Sequence, residues 1–138
     1  NSTPLHFDQP IPENANQVIF SGAEPDNIGL DIDLNVEDNG LGVVLNVESF
    51  YGHFKTPSLR NIALTAPYMH DGRFQTLEEV IDHYNEGLHA SPSLDPALAM
   101  TIDTGLLLND TDKVALIAFL KTLTDTSLIR DSRYASPF

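Results

Sequence analysis

Apolar positions recur with helical spacing in two parts of this chain, and the rest lacks a regular period. In the first part, Leu77, Val80, Ile81 and Tyr84 follow one another at three- and four-residue steps, so they share one helical face. Thr76 precedes them as an N-cap, and Glu79 stands three positions later as its capping-box partner. Glu78 and Glu79 suit the positive end of the helix dipole. Gly87 is placed to end the helix in a left-handed cap. On this pattern His83 and Asn85 turn away from the apolar stripe. The second part runs from about Thr111 to Leu123, capped by Thr111 or Asp110. Its apolar positions Val114, Leu116, Ile117, Phe119, Leu120 and Leu123 predict a broad buried face. Within residues 57–62, the string SLRNI predicts one or two further helical turns.

The remaining segments read as irregular. Pro4, Pro10 and Pro12 oppose helix across residues 1–17. Val18-Ile19-Phe20 is an apolar island suited to a strand or a docking anchor, and Ser21 to Asn27 forms a turn-rich link. Leu30, Ile32, Leu34 and Val36 alternate as in a strand. The acidic and amide residues among them (Asp31, Asp33, Asn35, Glu37, Asp38) do not match the spacing of an EF-hand and lack its terminal glutamate. Residues 91–103 read as a proline-bearing connection. The tail after Thr124 has no clear period.

The length of 138 residues suits one modest domain, and 41% apolar content is enough for a packed core. Nine prolines and eight glycines fit long irregular stretches. The formal charge of −13 argues against nucleic acid, whose phosphates would be repelled, and favours a basic partner surface. No run of 18 apolar residues predicts a membrane span. The opening NSTPLHFDQP has neither the basic end nor the apolar run of a signal peptide. The chain has no cysteine, which excludes disulfides, thiolate ligands and cysteine nucleophiles.

Candidate chemistry is concentrated between Phe54 and Gly87. His70 follows Pro67-Tyr68-Met69 and precedes the turn signal Asp71-Gly72, a setting that suits a ligand, an acid–base group or a structural hydrogen bonder. Tyr84, on the apolar helix face, reads first as a core tyrosine with its hydroxyl satisfied. Met69 reads as packing. Arg60 and Lys55 can pair with a carboxylate, either a propionate or an acidic side chain. No HExxH, GxSxG or phosphate-binding loop is present. His53, His70 and His83, with Asp71 and Asp82, lack the tight spacing of zinc sites.

The string TPSLRNIALTAPYMHDGRFQTLEEVIDHYNEG, residues 56–87, closely resembles the C-terminal haem domain of the bacterial dihaem cytochrome c peroxidase and MauG family. The resemblance continues more weakly through DTGLLLNDTDKVALIAFLKTLTD, residues 103–125, and around Asp26-Asn27-Ile28-Gly29-Leu30. It implies a mainly α, cytochrome c-like haem domain fragment with long loops and room for a short two-stranded element. Residues 1–47 would wrap that domain, 48–125 would form its C-terminal portion, and 126–138 would be a tail.

The family attaches each haem c through the cysteines of CxxCH, whose histidine is the proximal iron ligand. The absence of cysteine therefore leaves two readings. One is a fragment whose CxxCH motifs lie on a companion segment or chain, which is preferred because the histidine, arginine and tyrosine positions are all filled; the other is a haem-free interaction module on the same scaffold. A small acidic metal-binding protein is the remaining alternative and would need a closed ligand set from this chain alone. Tyr84, fourteen residues after His70, matches the family's distal axial ligand, which is commonly methionine in the peroxidases and tyrosine in MauG-like members. A phenolate is a hard donor that favours ferric and higher states. Met69 is disfavoured as the ligand because the match places the ligand on the helix. By the same resemblance, His70 lies near the haem and its propionates as a hydrogen bonder, and Arg60 neutralises propionates. The resemblance also implies that the carbonyls of Thr65 and Pro67 form at most half of a calcium site between the two haem domains, with the remaining side-chain ligand from the other domain. The implied activity is peroxide-dependent oxidation in the periplasm, with an electron-donor or substrate protein as partner. This chain would serve the electron-transferring haem and would contribute no catalytic residue for peroxide.

Overall fold

The computed structural model describes residues 25–31 and 38–134. The expectations for residues 1–17, for the island at 18–20 and for the alternation through 32–36 lie outside the described residues. The chain divides into two compact units that interleave along the sequence. Among the described residues, the first holds 25–31, 38–58 and 81–108, and the second holds 59–80 and 109–134. The helix α2 (Leu77–Glu86) begins in the second and ends in the first.

A small antiparallel sheet organises the first unit. Strand β1 (Pro25–Asp26) pairs with β2 (Phe54–Lys55) in the register Pro25 to Lys55 and Asp26 to Phe54. The turn-rich link expected at 21–27 therefore ends in a strand. Between the strands lies the short helix α1 (Leu41–Leu45), which ends at Asn46 in a left-handed conformation, followed by a 3-10 turn at Glu48–Phe50. The amide of Leu41 donates to the His53 carbonyl at 3.0 Å, and that of Gly52 donates to the Asn39 carbonyl at 3.1 Å, so the excursion closes on itself. The connection expected at 91–103 contains helix α3 (Pro96–Ala99), because Asp95 accepts from the amides of Ala97 and Leu98 and Pro96 occupies its first turn. Leu30, Ile81, Leu94 and Leu98 form the apolar core of this unit.

Such loop-rich packing buries backbone that must find hydrogen-bond partners, and Asn27 supplies many of them. Its side-chain oxygen accepts from the Gly29 amide at 2.9 Å, and its amide nitrogen lies 2.9–3.2 Å from Ser93 Oγ, Ser91 Oγ and the Tyr51 carbonyl. Its own carbonyl accepts from the Asp95 amide at 3.0 Å. Gly52, at φ 76°, lets the chain pass against this side chain, since a Cβ there would meet Asn27 Nδ2 at 2.6 Å.

In the second unit, α4 (Asp110–Thr122) is followed by α5 (Thr126–Arg130), so the tail is partly helical. The N-cap of α4 is Asn109, not Thr111 or Asp110. Asn109 is extended, its Oδ1 accepts from Thr111 and Asp112, and Asp112 answers with the reciprocal bond. The broad buried face expected of α4 is narrower. Ile117 and Leu120 are buried, but Val114 and Phe119 are 66% and 49% exposed, and Leu116 is also exposed. The described residues cover only one side of a helix that is apolar all round its middle. The helix expected at 57–62 is replaced by a 3-10 turn at Ile62–Leu64. Asn61 stops any earlier helix by taking a left-handed conformation at φ 59°, which lets its amide donate to the Leu123 carbonyl and its side chain accept from Asp125.

At the start of α2 the capping box forms as the pattern predicts. The Glu79 amide donates to Thr76 Oγ1 at 3.2 Å, and the amides of Thr76 and Gln75 donate to Glu79 Oε2. The other end differs from expectation. Gly87 is not left-handed; its amide donates to the His83 carbonyl at 2.8 Å, and the Asn85 carbonyl is taken by the Leu106 amide. The helix thus ends by handing a carbonyl to a distant loop instead of closing on its own glycine.

Candidate functional site

Tyr84 lies near the end of α2 in the first unit, with Leu77 and Ile81 of the same helix buried. It is partly buried, and no hydrogen bond to its hydroxyl occurs among the described residues, contrary to the expectation of a satisfied core tyrosine. Burial, and then the negative charge of Asp26, push its pKa up to about 12. The phenol therefore keeps its proton at neutral pH unless a cation approaches the oxygen.

His83 and Asn85 do not turn outward. They are 6% and 9% exposed, respectively. The His83 Nε2–H donates to the Ile28 carbonyl at 2.9 Å, and its ring meets that of Tyr84 edge-on, with centroids 5.4 Å apart and planes at 66°. Asn85 Oδ1 accepts from the Leu108 amide at 2.9 Å. Because α2 is flanked by loops as well as by apolar side chains, its polar face serves loop backbone that water cannot reach. His83 thereby ties residues 25–31 to the helix and packs beside Tyr84. Sequence periodicity missed this, since it treats polar positions as solvent-facing. Asp26 was missed as well, because its effect on Tyr84 depends on strand pairing distant in sequence.

The other proposed site residues lie in the second unit, and all are exposed: Arg60, Thr65, Pro67 and His70. Thr65 closes the 3-10 turn, with its hydroxyl donating to the Ile62 carbonyl at 3.1 Å, and Ala66–Pro67 is a cis peptide. Tyr68 anchors the following turn through its hydroxyl, which donates to the Ile62 carbonyl at 3.0 Å, and through its amide on the Phe74 carbonyl at 2.7 Å. Burial and the nearby charge of Glu78 raise the Tyr68 pKa, so it remains a neutral donor. His70 stands between Met69 and Gly72, both with positive φ, on a turn clamped by Asp71 and Arg73. Burial works against the Asp71 charge, but the hydrogen bonds and charge of Arg73, together with the charge of His70, outweigh it and lower its pKa. Among the described residues, no group of three or more His, Asp or Glu side chains is arranged to hold a metal ion, and no helix is long and apolar enough to cross a membrane.

The chain has clear relatives among known proteins. The methylamine utilization protein MauG of Paracoccus denitrificans is 34% identical over 145 residues, covering 91% of this chain and 35% of MauG. The cytochrome-c peroxidase IdrP2 of a Pseudomonas species is 40% identical over 92 residues, covering 67% of this chain and 23% of the relative. The chain belongs to the MauG and cytochrome c peroxidase family. A solved MauG-like protein associated with microbial copper homeostasis matches it with a TM-score of 0.66 and 42% identity, over 83% of this chain and 38% of that one. No protein-family profile matches the chain. The chain thus spans a quarter to two fifths of the length of these MauG and peroxidase relatives. The peroxidases among them are oxidoreductases by name.

Proposed function

We propose that this chain supplies the distal side of the C-terminal, electron-transfer haem of a periplasmic dihaem c-type oxidoreductase. The observation that carries the reading is Tyr84: a desolvated phenol without a hydrogen-bond partner among the described residues, in a chain of the MauG and peroxidase family. Tyr84 would be the axial ligand. When bound, the haem supplies a redox-active iron that stores and passes one electron. The cysteines that attach it belong to a companion segment or chain carrying CxxCH.

The protein's own groups then have separate tasks. Tyr84 would offer its phenol oxygen to the iron as a hard donor. His83 fixes the ring beside it. By the family resemblance, Arg60 would neutralise propionates, and His70 would hydrogen-bond near them. The carbonyls of Thr65 and Pro67, both exposed residues, would offer at most half of a calcium site, with the remaining ligands from the companion. The whole protein would carry out peroxide-dependent oxidation of an electron-donor or substrate protein, and tyrosine in the axial position favours the MauG-like form of that reaction.

An absorption spectrum of the native protein, run beside a denaturing gel and an intact mass, tests the reading. A Soret band accompanied by cysteine-bearing polypeptide is the expected outcome. A single haem-free species of 138 residues would overturn it and leave an interaction module on the same scaffold.

A further inference from the structure

Tyr84 sits between two buried polar residues, His83 and Asn85, whose partners come from different parts of the chain. Residues two apart on an α-helix point about 200° from each other. These side chains therefore leave the last turns of α2 on nearly opposite sides, with Tyr84 between them. On one side, the His83 Nε2–H donates to the Ile28 carbonyl at 2.9 Å. On the other, Asn85 grips the loop at 105–108. Its Oδ1 accepts from the Leu108 amide at 2.9 Å, its Nδ2 donates to the Leu108 carbonyl at 3.4 Å, and its own carbonyl accepts from the Leu106 amide at 3.1 Å.

The loop is shaped for this grip. Gly105, at φ 67°, passes against the Asn85 carbonyl oxygen, where a Cβ would collide. Leu107, at φ 56°, takes a left-handed conformation that is costly for a bulky residue, and it lies between the two amides that Asn85 receives. Strain of this kind persists only where the surroundings over-determine it. The loop is itself fastened to α3. The Gly105 amide donates to the Thr101 carbonyl at 2.7 Å, and the Thr101 amide donates to the carbonyl of buried Leu98 at 2.9 Å. Asn85 is thus held by an anchored element, as His83 is held by the segment that Asn27 organises. A helix fastened on one side can still roll about its axis, but fastening on both sides opposes the roll. The Tyr84 hydroxyl stands at the end of a long side chain, so even a small roll would displace it.

We propose that Asn85 is a positioning residue for Tyr84: by gripping the loop at 105–108 it keeps the end of α2 from rolling and, with His83 opposite, fixes where the phenol oxygen stands. The inference rests on the reading of Tyr84 as an axial ligand. A ligand held in place competes with free ligands as if at high local concentration. Loosening the grip lowers that concentration, so a small exogenous ligand replaces Tyr84 more readily. The coupling is reciprocal, and displacing Tyr84 loosens the loop in turn.

The test uses the native protein, with whatever haem and companion polypeptide it carries, and measures ligand exchange, not turnover. The ferric protein is titrated with imidazole, and the loss of iron-bound phenolate bands is followed by resonance Raman. Asn85→Ala should lower the imidazole concentration at the midpoint by about tenfold. Gly105→Ala, which disturbs the grip from the loop side, should act in the same direction. Asp125→Ala removes the cap of α5, whose bonds go to Ser127 in the other unit, and should lower stability without moving the midpoint. In the unaltered protein, saturating imidazole should quicken amide exchange at Leu106 and Leu108 about fivefold or more. That measurement decides the matter even where Asn85→Ala does not fold. An unmoved midpoint in a folded Asn85→Ala protein, or unchanged exchange at those two amides, would overturn the proposal. So would an equal shift in Asp125→Ala, which would mark general loosening. A native protein without phenolate bands would overturn the ligand reading and this inference together, whereas phenolate bands with an unmoved midpoint would remove the inference alone.

Discussion

Replacing His83 tests how the fold holds Tyr84. His83 is buried on α2, donates from Nε2 to the Ile28 carbonyl at 2.9 Å, and presents its ring edge-on to Tyr84. Phenylalanine keeps the ring and its contact but removes the donor. The Ile28 carbonyl, part-buried, then loses its partner at a cost of about 1–2 kcal/mol, the lower part of the range for an unsatisfied buried group. Alanine also removes the aromatic pair, a further loss of about 0.5–1.5 kcal/mol, and leaves a cavity. The two variants should therefore lose about 1–2 and about 2–4 kcal/mol respectively, read as shifts in the urea unfolding midpoint of the native protein. Amide hydrogen exchange at Ile28, Gly29 and Leu30 should quicken in both, since that segment is tied to the helix through this bond. A His83→Phe protein as stable as the parent, with unchanged exchange in that segment, would refute the reasoning.

Gly105→Ala should destabilise the protein by about 1–2 kcal/mol or more, because Gly105 sits at φ 67° and a Cβ would fall inside the contact shell of the Asn85 carbonyl oxygen; thermal unfolding checks this. Hydrogen bonds from the Gln75 and Thr76 amides hold the Glu79 carboxylate below its usual pKa of 4.5. The native state therefore binds this proton less tightly than the unfolded chain does. The resulting stability is present above pH 4.5 and is lost as pH falls through the lower folded value. Circular dichroism should show acid fraying of α2 that Glu79→Gln makes independent of pH in this window.

The parts of the fold legible in the sequence are those set by local spacing. The start of α2 follows from Thr76 and Glu79, and α4 falls within a residue of its expected bounds, because capping and periodicity operate over one or two turns. Its cap shifted to Asn109 because several neighbouring residues can cap and only backbone geometry chooses among them. His83 and Asn85 were misread for a different reason: their partners, Ile28 and Leu108, are 55 and 23 residues away. A buried loop requires side-chain partners, but sequence does not say which ones. The exposed flank of α4 was misread because an all-apolar helix signals burial without naming what covers it. At the candidate site, the position of Tyr84 on the helix was legible, whereas the burial and the Asp26 charge that raise its pKa depend on tertiary packing.

The most direct test of the account is resonance Raman spectroscopy of the ferric native protein beside Tyr84→Phe and His70→Gln. The account predicts iron-bound phenolate bands in the native protein, their loss in Tyr84→Phe, and their persistence in His70→Gln. Haem bands without phenolate features in the native protein, or phenolate features that survive Tyr84→Phe, would contradict the assignment of Tyr84 as the axial ligand.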